Sequence, residues 1–128
     1  MRVASLADIL AGLRKLVTKT NMITIHTAGR TALLRCNAPL SGGPDPITLL
    51  AQIERSGARE VLLDTSSASC CWADSDGLRW LLDLQRTLQT HGHSLRIVAP
   101  LGGRVWRNIA LLQTDLPLFA TVKAAWHH

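Results

Sequence analysis

The chain has 128 residues, 47% apolar and 18% charged, and carries a net charge of +5. That is the length of one domain. It is apolar enough to fold around a core without a metal or disulfide staple, and its composition is that of a globular chain and argues against disorder. No apolar run approaches the ~20 residues of a membrane-spanning helix. Arg2, Arg14, Lys15 and Lys19 against Asp8 leave +3 of the charge on residues 1–20. No Lys/Arg run occurs, tyrosine is absent and Phe119 is the only phenylalanine, so nucleic acid is not an expected partner. The three cysteines, with Cys70 and Cys71 adjacent, make no disulfide framework. Asp8 breaks any signal-peptide core before Leu13. A reduced, cytoplasmic protein is therefore expected.

Residues 1–20 read as an amphipathic helix, with Leu6, Ile9, Leu10, Leu13, Leu16 and Val17 at three- and four-residue spacing. Ser5 and Asp8 have capping-box spacing. The stripe either packs on its own domain, the ordinary fate of a surface helix, or serves as a docking face for a homodimer. Residues 21–128 form the domain proper. Met22–Thr27 and Thr31–Asn37 are strand-like runs about a short turn, Ala28-Gly29-Arg30. The loop Ser41-Gly42-Gly43-Pro44 leads to Asp45 and Pro46, which open a helix that Gly57 closes. Val61-Leu62-Leu63 is wholly apolar, as a strand covered on both faces is.

A second long helix is expected from Ser75 to about Thr90, with Leu78, Leu81, Leu82, Gln85 and Leu88 along one face and Gly92 as its stop. Leu95–Ala99 is another strand, Val105–Leu112 a third helix, and an apolar tail follows. This alternation predicts a single α/β domain, a mixed sheet with helices mainly on one face, plus the N-terminal helix.

The segment from Asp64 to Leu82 carries the most chemistry. A buried strand ends at Asp64, a loop follows, and Asp74-Ser75-Asp76-Gly77-Leu78 opens a helix. One of Asp74 and Ser75 is expected to cap that helix. A hydroxyl at a helix N-terminus also faces unpaired N–H groups and the positive end of the dipole, where an attached phosphate is stabilised. Trp72, in the loop beside Ser75, is a candidate docking anchor.

Val61-Leu62-Leu63-Asp64, Asp74-Ser75-Asp76-Gly77-Leu78 and Leu81-Leu82 together resemble the signature of the STAS domain, found in anti-sigma factor antagonists and sulfate transporters. His91 to Val98 and Leu111 to Leu116 are similar to that family's later glycine turn and leucine-rich helix, so the resemblance covers about residues 22–126. It implies a non-enzymatic, cytoplasmic regulator of transcription that works by protein–protein interaction. A kinase-type anti-sigma factor would be the partner, and the phosphoprotein form would carry its phosphate on Ser75. It places Asp74, Asp76, Gly77 and Leu78 on the partner surface, with Asn37, Leu40 and Ser41 alongside.

Three departures fall in that region. Asp76 replaces the second motif hydroxyl, the loop from Asp64 to Asp74 is longer by two residues, and Asn37-Ala38-Pro39-Leu40 replaces the usual Gly-Glu-Leu-Asp. A phosphate on Ser75 would add roughly −1.5 to −2 charges between two carboxylates.

Other readings of the same fold are a scaffold or accessory subunit of a stressosome-type or lipid-transport complex, and a small-molecule or nucleotide-binding module. Catalysis is not expected. Asp64 resembles a phospho-accepting aspartate, but the acidic pair and lysine of that chemistry are missing, as are the nucleophile elbow and the phosphate loop. No metal or cofactor is expected either, because Cys70 and Cys71 lack the spacing of a zinc hairpin and lie a whole helix away from His91 and His93.

Overall fold

The structure, a computed structural model, describes residues 14–19, 23–70, 72–112 and 115–126. Six strands form one sheet in chain order: β1 (Arg14–Lys19), β2 (Ile23–Ala28), β3 (Thr31–Cys36), β4 (Glu60–Asp64), β5 (Ser94–Val98) and β6 (Leu118–Phe119). The first three run antiparallel to one another, and β3 to β6 run parallel. The parallel strands are joined by α1 (Pro46–Ser56), α2 (Ser75–Thr90) and α3 (Arg104–Leu111), and α4 (Val122–Trp126) follows β6. This is the expected α/β domain with a mixed sheet.

The local signals act where their chemistry places them. Asp45 accepts the Ile47 N–H at 3.1 Å and Pro46 occupies the first turn, so α1 starts there. The α2 helix ends on Gly92 at φ 78°, with Gly92 N–H bonded to the Gln89 carbonyl and His93 N–H to the Leu88 carbonyl, the two bonds of a Schellman motif.

Period-two alternation divides the core between the two sheet faces. Ile25, Leu34, Val61, Leu63 and Ile97 point to one face, where Leu49 and Ile53 of α1, Leu81, Leu84 and Leu88 of α2, and Ile109 of α3 pack on them. Leu33, Leu62 and Val98 point to the other face, under Ala125, Val122 and Trp126 of α4 and Phe119 of β6. Arg96 lies on this second face, donating Nη1 to the Ala125 carbonyl at 3.0 Å and pairing through Nη2 with Glu60 at 3.6 Å. Three of the four helices among the described residues thus share one face.

The helix expected over residues 1–20 is corrected in part. Arg14–Lys19 is a strand, paired with β2 at Arg14↔Thr27 and Lys15↔His26 and again, past an irregularity, at Lys19↔Thr24. Without it β2 would be an edge with unpaired N–H and C=O groups, and the β-branched Val17 and Thr18 suit a strand. The domain's sheet therefore begins before residue 21, while residues 1–13 of the expected helix lie outside the described residues.

The face of α2 is also revised. Its buried residues are Gly77, Trp80, Leu81, Leu84 and Leu88, whereas Leu78 and Leu82 are half-buried at the margin. The Trp80 indole N–H finds the Pro44 carbonyl at 2.7 Å, which lets a polar-tipped ring enter the core. The apolar tail adds the strand β6 and the helix α4, two elements too short to show a period.

Candidate functional site

Two loops leave the sheet at adjacent strand ends, one after β3 toward α1 and one after β4 toward α2. They are joined by their backbones. Leu40 donates its N–H to the Trp72 carbonyl at 2.9 Å, and Asp74 donates its N–H to the Leu40 carbonyl at 3.0 Å. Leu40 and Ala73 form a parallel bridge. From α3, Asn108 donates Nδ2 to the Ala73 carbonyl at 2.7 Å. The segment that opens α2 is thus held on both sides.

Asp74 is the N-cap. Its Oδ1 accepts the Gly77 N–H at 2.9 Å, and its Oδ2 accepts the Ser41 hydroxyl at 2.5 Å. The Ser41 hydroxyl first, and the Gly77 N–H behind it, hold the Asp74 carboxyl below the usual carboxylate range. With both oxygens engaged, Asp74 is poorly placed to act as a general base. Ser75 is the first helical residue and is exposed, as is Asp76. The Ser75 side chain therefore sits at the positive end of a 16-residue helix without carrying the cap itself.

The residues expected around the motif separate into two groups. Ser41, Asp74, Ser75 and Asp76 line the surface at the start of α2, with Trp72 and Leu78 half-buried beside them. Leu40 and Gly77, expected on the partner surface, are inside. Leu40 is 1% exposed, and a Cβ on Gly77 would lie 2.0 Å from the Leu40 carbonyl oxygen. These two form the joint that holds the surface up. Asn37 is exposed but bonds Thr24 of β2 through Nδ2 at 2.9 Å, so it belongs to the neighbouring strand end.

Beneath the loops Asp64 is 3% exposed, with both carboxylate oxygens engaged. Oδ1 accepts the Ser66 N–H at 2.9 Å and the Ser66 hydroxyl at 2.5 Å, and Oδ2 faces Arg35 Nε at 3.4 Å. Arg35 and Asp64 are register partners across β3 and β4. Arg35 was invisible as a site residue in the sequence because only the register opposes it to Asp64.

Cys36 and Cys70 form a second pair that the sequence did not disclose. Both thiols are free and buried. Their mutual hydrogen bond, then burial and the nearby Asp64, push the Cys36 thiol up, while the bond from Cys36 draws the Cys70 thiol down against burial and Asp64. Among the described residues, no three His, Cys, Asp or Glu side chains are grouped to hold a metal ion, and no helix is long and apolar enough to cross a membrane. No family model matches the chain, and no curated protein is significantly similar to it in sequence.

Proposed function

We propose that this protein is a non-enzymatic regulator of the STAS type, similar to an anti-sigma factor antagonist. It binds a protein partner through the surface at the start of α2 and is switched by phosphorylation of Ser75. One observation carries the reading: an exposed hydroxyl at the first position of a long helix, on a segment pinned by Asp74, Leu40 and Asn108. The exposed hydroxyl is open to a kinase, and the fixed helix end gives the phosphate a defined position relative to a partner. The contact residues are Trp72, Asp74, Asp76 and Leu78 with Ser41, while Leu40 and Gly77 support them from below.

A phosphate here is favoured by the helix end and opposed by Asp74 and Asp76. Arg79 is exposed one turn along, at the i+4 spacing from which a guanidinium reaches a phosphate on Ser75. Adding this charge to a desolvated protein contact weakens binding, which is the sense of the switch. The reading belongs to the cytoplasm, where ATP is available and free thiols persist.

The experiment incubates the full chain with ATP and a kinase-type anti-sigma factor that binds it, followed by intact-mass spectrometry and a binding titration. One added phosphate, absent from Ser75→Ala, and weaker binding by Ser75→Glu are expected. A phosphate that persists in Ser75→Ala, or undiminished binding by Ser75→Glu, overturns the switch.

A further inference from the structure

A separate concavity opens at the carboxyl ends of the parallel strands, on the sheet face that α4 covers. Period two puts Arg35, Asp64 and Val98 on this face together with Leu33 and Leu62, and the register aligns Arg35↔Asp64 and Asp64↔Val98 as one row across three strands. The segment from Ala120 to Lys123 lines, together with the end of that row, a half-open cavity of about 460 Å³. That volume lies in the ordinary range for small-molecule sites, roughly 300–1,000 Å³. Open α/β sheets place ligands outside the carboxyl ends of their strands. The α4 helix is only five residues long, so it covers this face much less than α1 and α2 cover the other.

The lining has two parts. The half-buried Ala120 and Val122 make an apolar wall backed by the buried Val98, while Arg35 and Lys123 face the same space with Asp64. Two cations against one carboxylate leave a net positive charge. The carboxylate is already occupied by Ser66 and Arg35, so it presents little unpaired negative charge to a ligand. The Thr121 hydroxyl accepts the Ala124 N–H at 3.1 Å and keeps its own proton to donate.

The geometry points to this cavity as a binding site for a small amphipathic monoanion, a carboxylate on a short aliphatic body. Lys123 and Arg35 receive the charge, and Ala120 and Val122, backed by the buried Val98, receive the chain. A polyanion would exceed the single residual charge, and an uncharged chain would leave that residual positive charge unmatched, since Asp64 balances only Arg35. The site does not depend on Ser75 or on any protein partner.

The probe is octanoate, titrated into the full chain by calorimetry and mapped by amide chemical shifts, with octanol as the uncharged control. One saturable site is expected, with shifts centred on Val98 and on residues 120–123. Octanol should bind more weakly by about tenfold, and Lys123→Glu should weaken octanoate by a similar factor. Lys123 is exposed, so the fold should tolerate the change, and Lys123→Gln supplies a milder variant with a smaller loss in the same direction. The proposal is overturned if octanoate does not saturate, if octanol binds as tightly, if both Lys123 variants bind undiminished, or if the shifts centre elsewhere.

Discussion

Replacing Gly77 by alanine tests the joint beneath the candidate site. In an ordinary helix this substitution stabilises by up to ~1 kcal/mol. Here the new Cβ would sit 2.0 Å from the Leu40 carbonyl oxygen and 2.5 Å from its carbonyl carbon, well inside contact distance. Both are backbone atoms, so no side chain can swing aside to make room. The β3–α1 loop must move away from α2, straining the Leu40–Trp72 and Asp74–Leu40 backbone bonds. Overpacking costs about 1–3 kcal/mol and each weakened hydrogen bond about 1 kcal/mol. Less the propensity gain, the net loss is about 2–4 kcal/mol. Urea unfolding followed by tryptophan fluorescence measures it, with Asp83→Ala on the exposed side of the same helix as reference. A Gly77→Ala protein as stable as the wild type would refute the claim that the two loops meet backbone to backbone at this point.

Ser75→Ala should change stability by less than about 0.5 kcal/mol, because the capping bond belongs to Asp74, and a thermal melt checks it. Trp80→Ala should cost about 3–5 kcal/mol, since the ring is 6% exposed in the core and its N–H holds Pro44; urea denaturation reads the loss. Leu62→Ala, on the face under α4, should cost about 2–5 kcal/mol by the same measurement. The Asp74 carboxyl is held below its unfolded value, so its contribution is complete above the ordinary carboxylate pKa near ~3.9 and is lost as pH falls through the lower folded pKa. The stability difference between wild type and Ser41→Ala should therefore be flat from pH 7 to pH 5 and shrink below about pH 4. A difference that already collapses near pH 6 would exclude Asp74 as its source.

Most elements in the body of the chain were legible because their signals are local. Asp45-Pro46 and Gly57 bound α1, Asp74 and Gly92 bound α2, and the three apolar residues of β4 mark a strand buried on both faces. Each of these depends only on a few neighbouring φ, ψ values and side-chain oxygens. The exposed serine at the start of α2 was readable for the same reason.

Tertiary structure alone decided the features that need two distant segments to meet. Arg14–Lys19 has a helical pattern, yet the open edge of β2 makes it a strand, because unpaired backbone groups outweigh a weak local preference. Leu40 and Gly77 resemble surface residues until the approach of two backbones puts them inside. Trp80 falls beside the leucine stripe by spacing, but the Pro44 carbonyl gives its N–H a buried partner. Arg35 meets Asp64, and Cys36 meets Cys70, only through the way the strands and loops come together. Chain order encodes neighbours within a turn or a strand. Which strand ends lie side by side depends on the parallel crossovers, and those follow from burying both faces of the sheet at once.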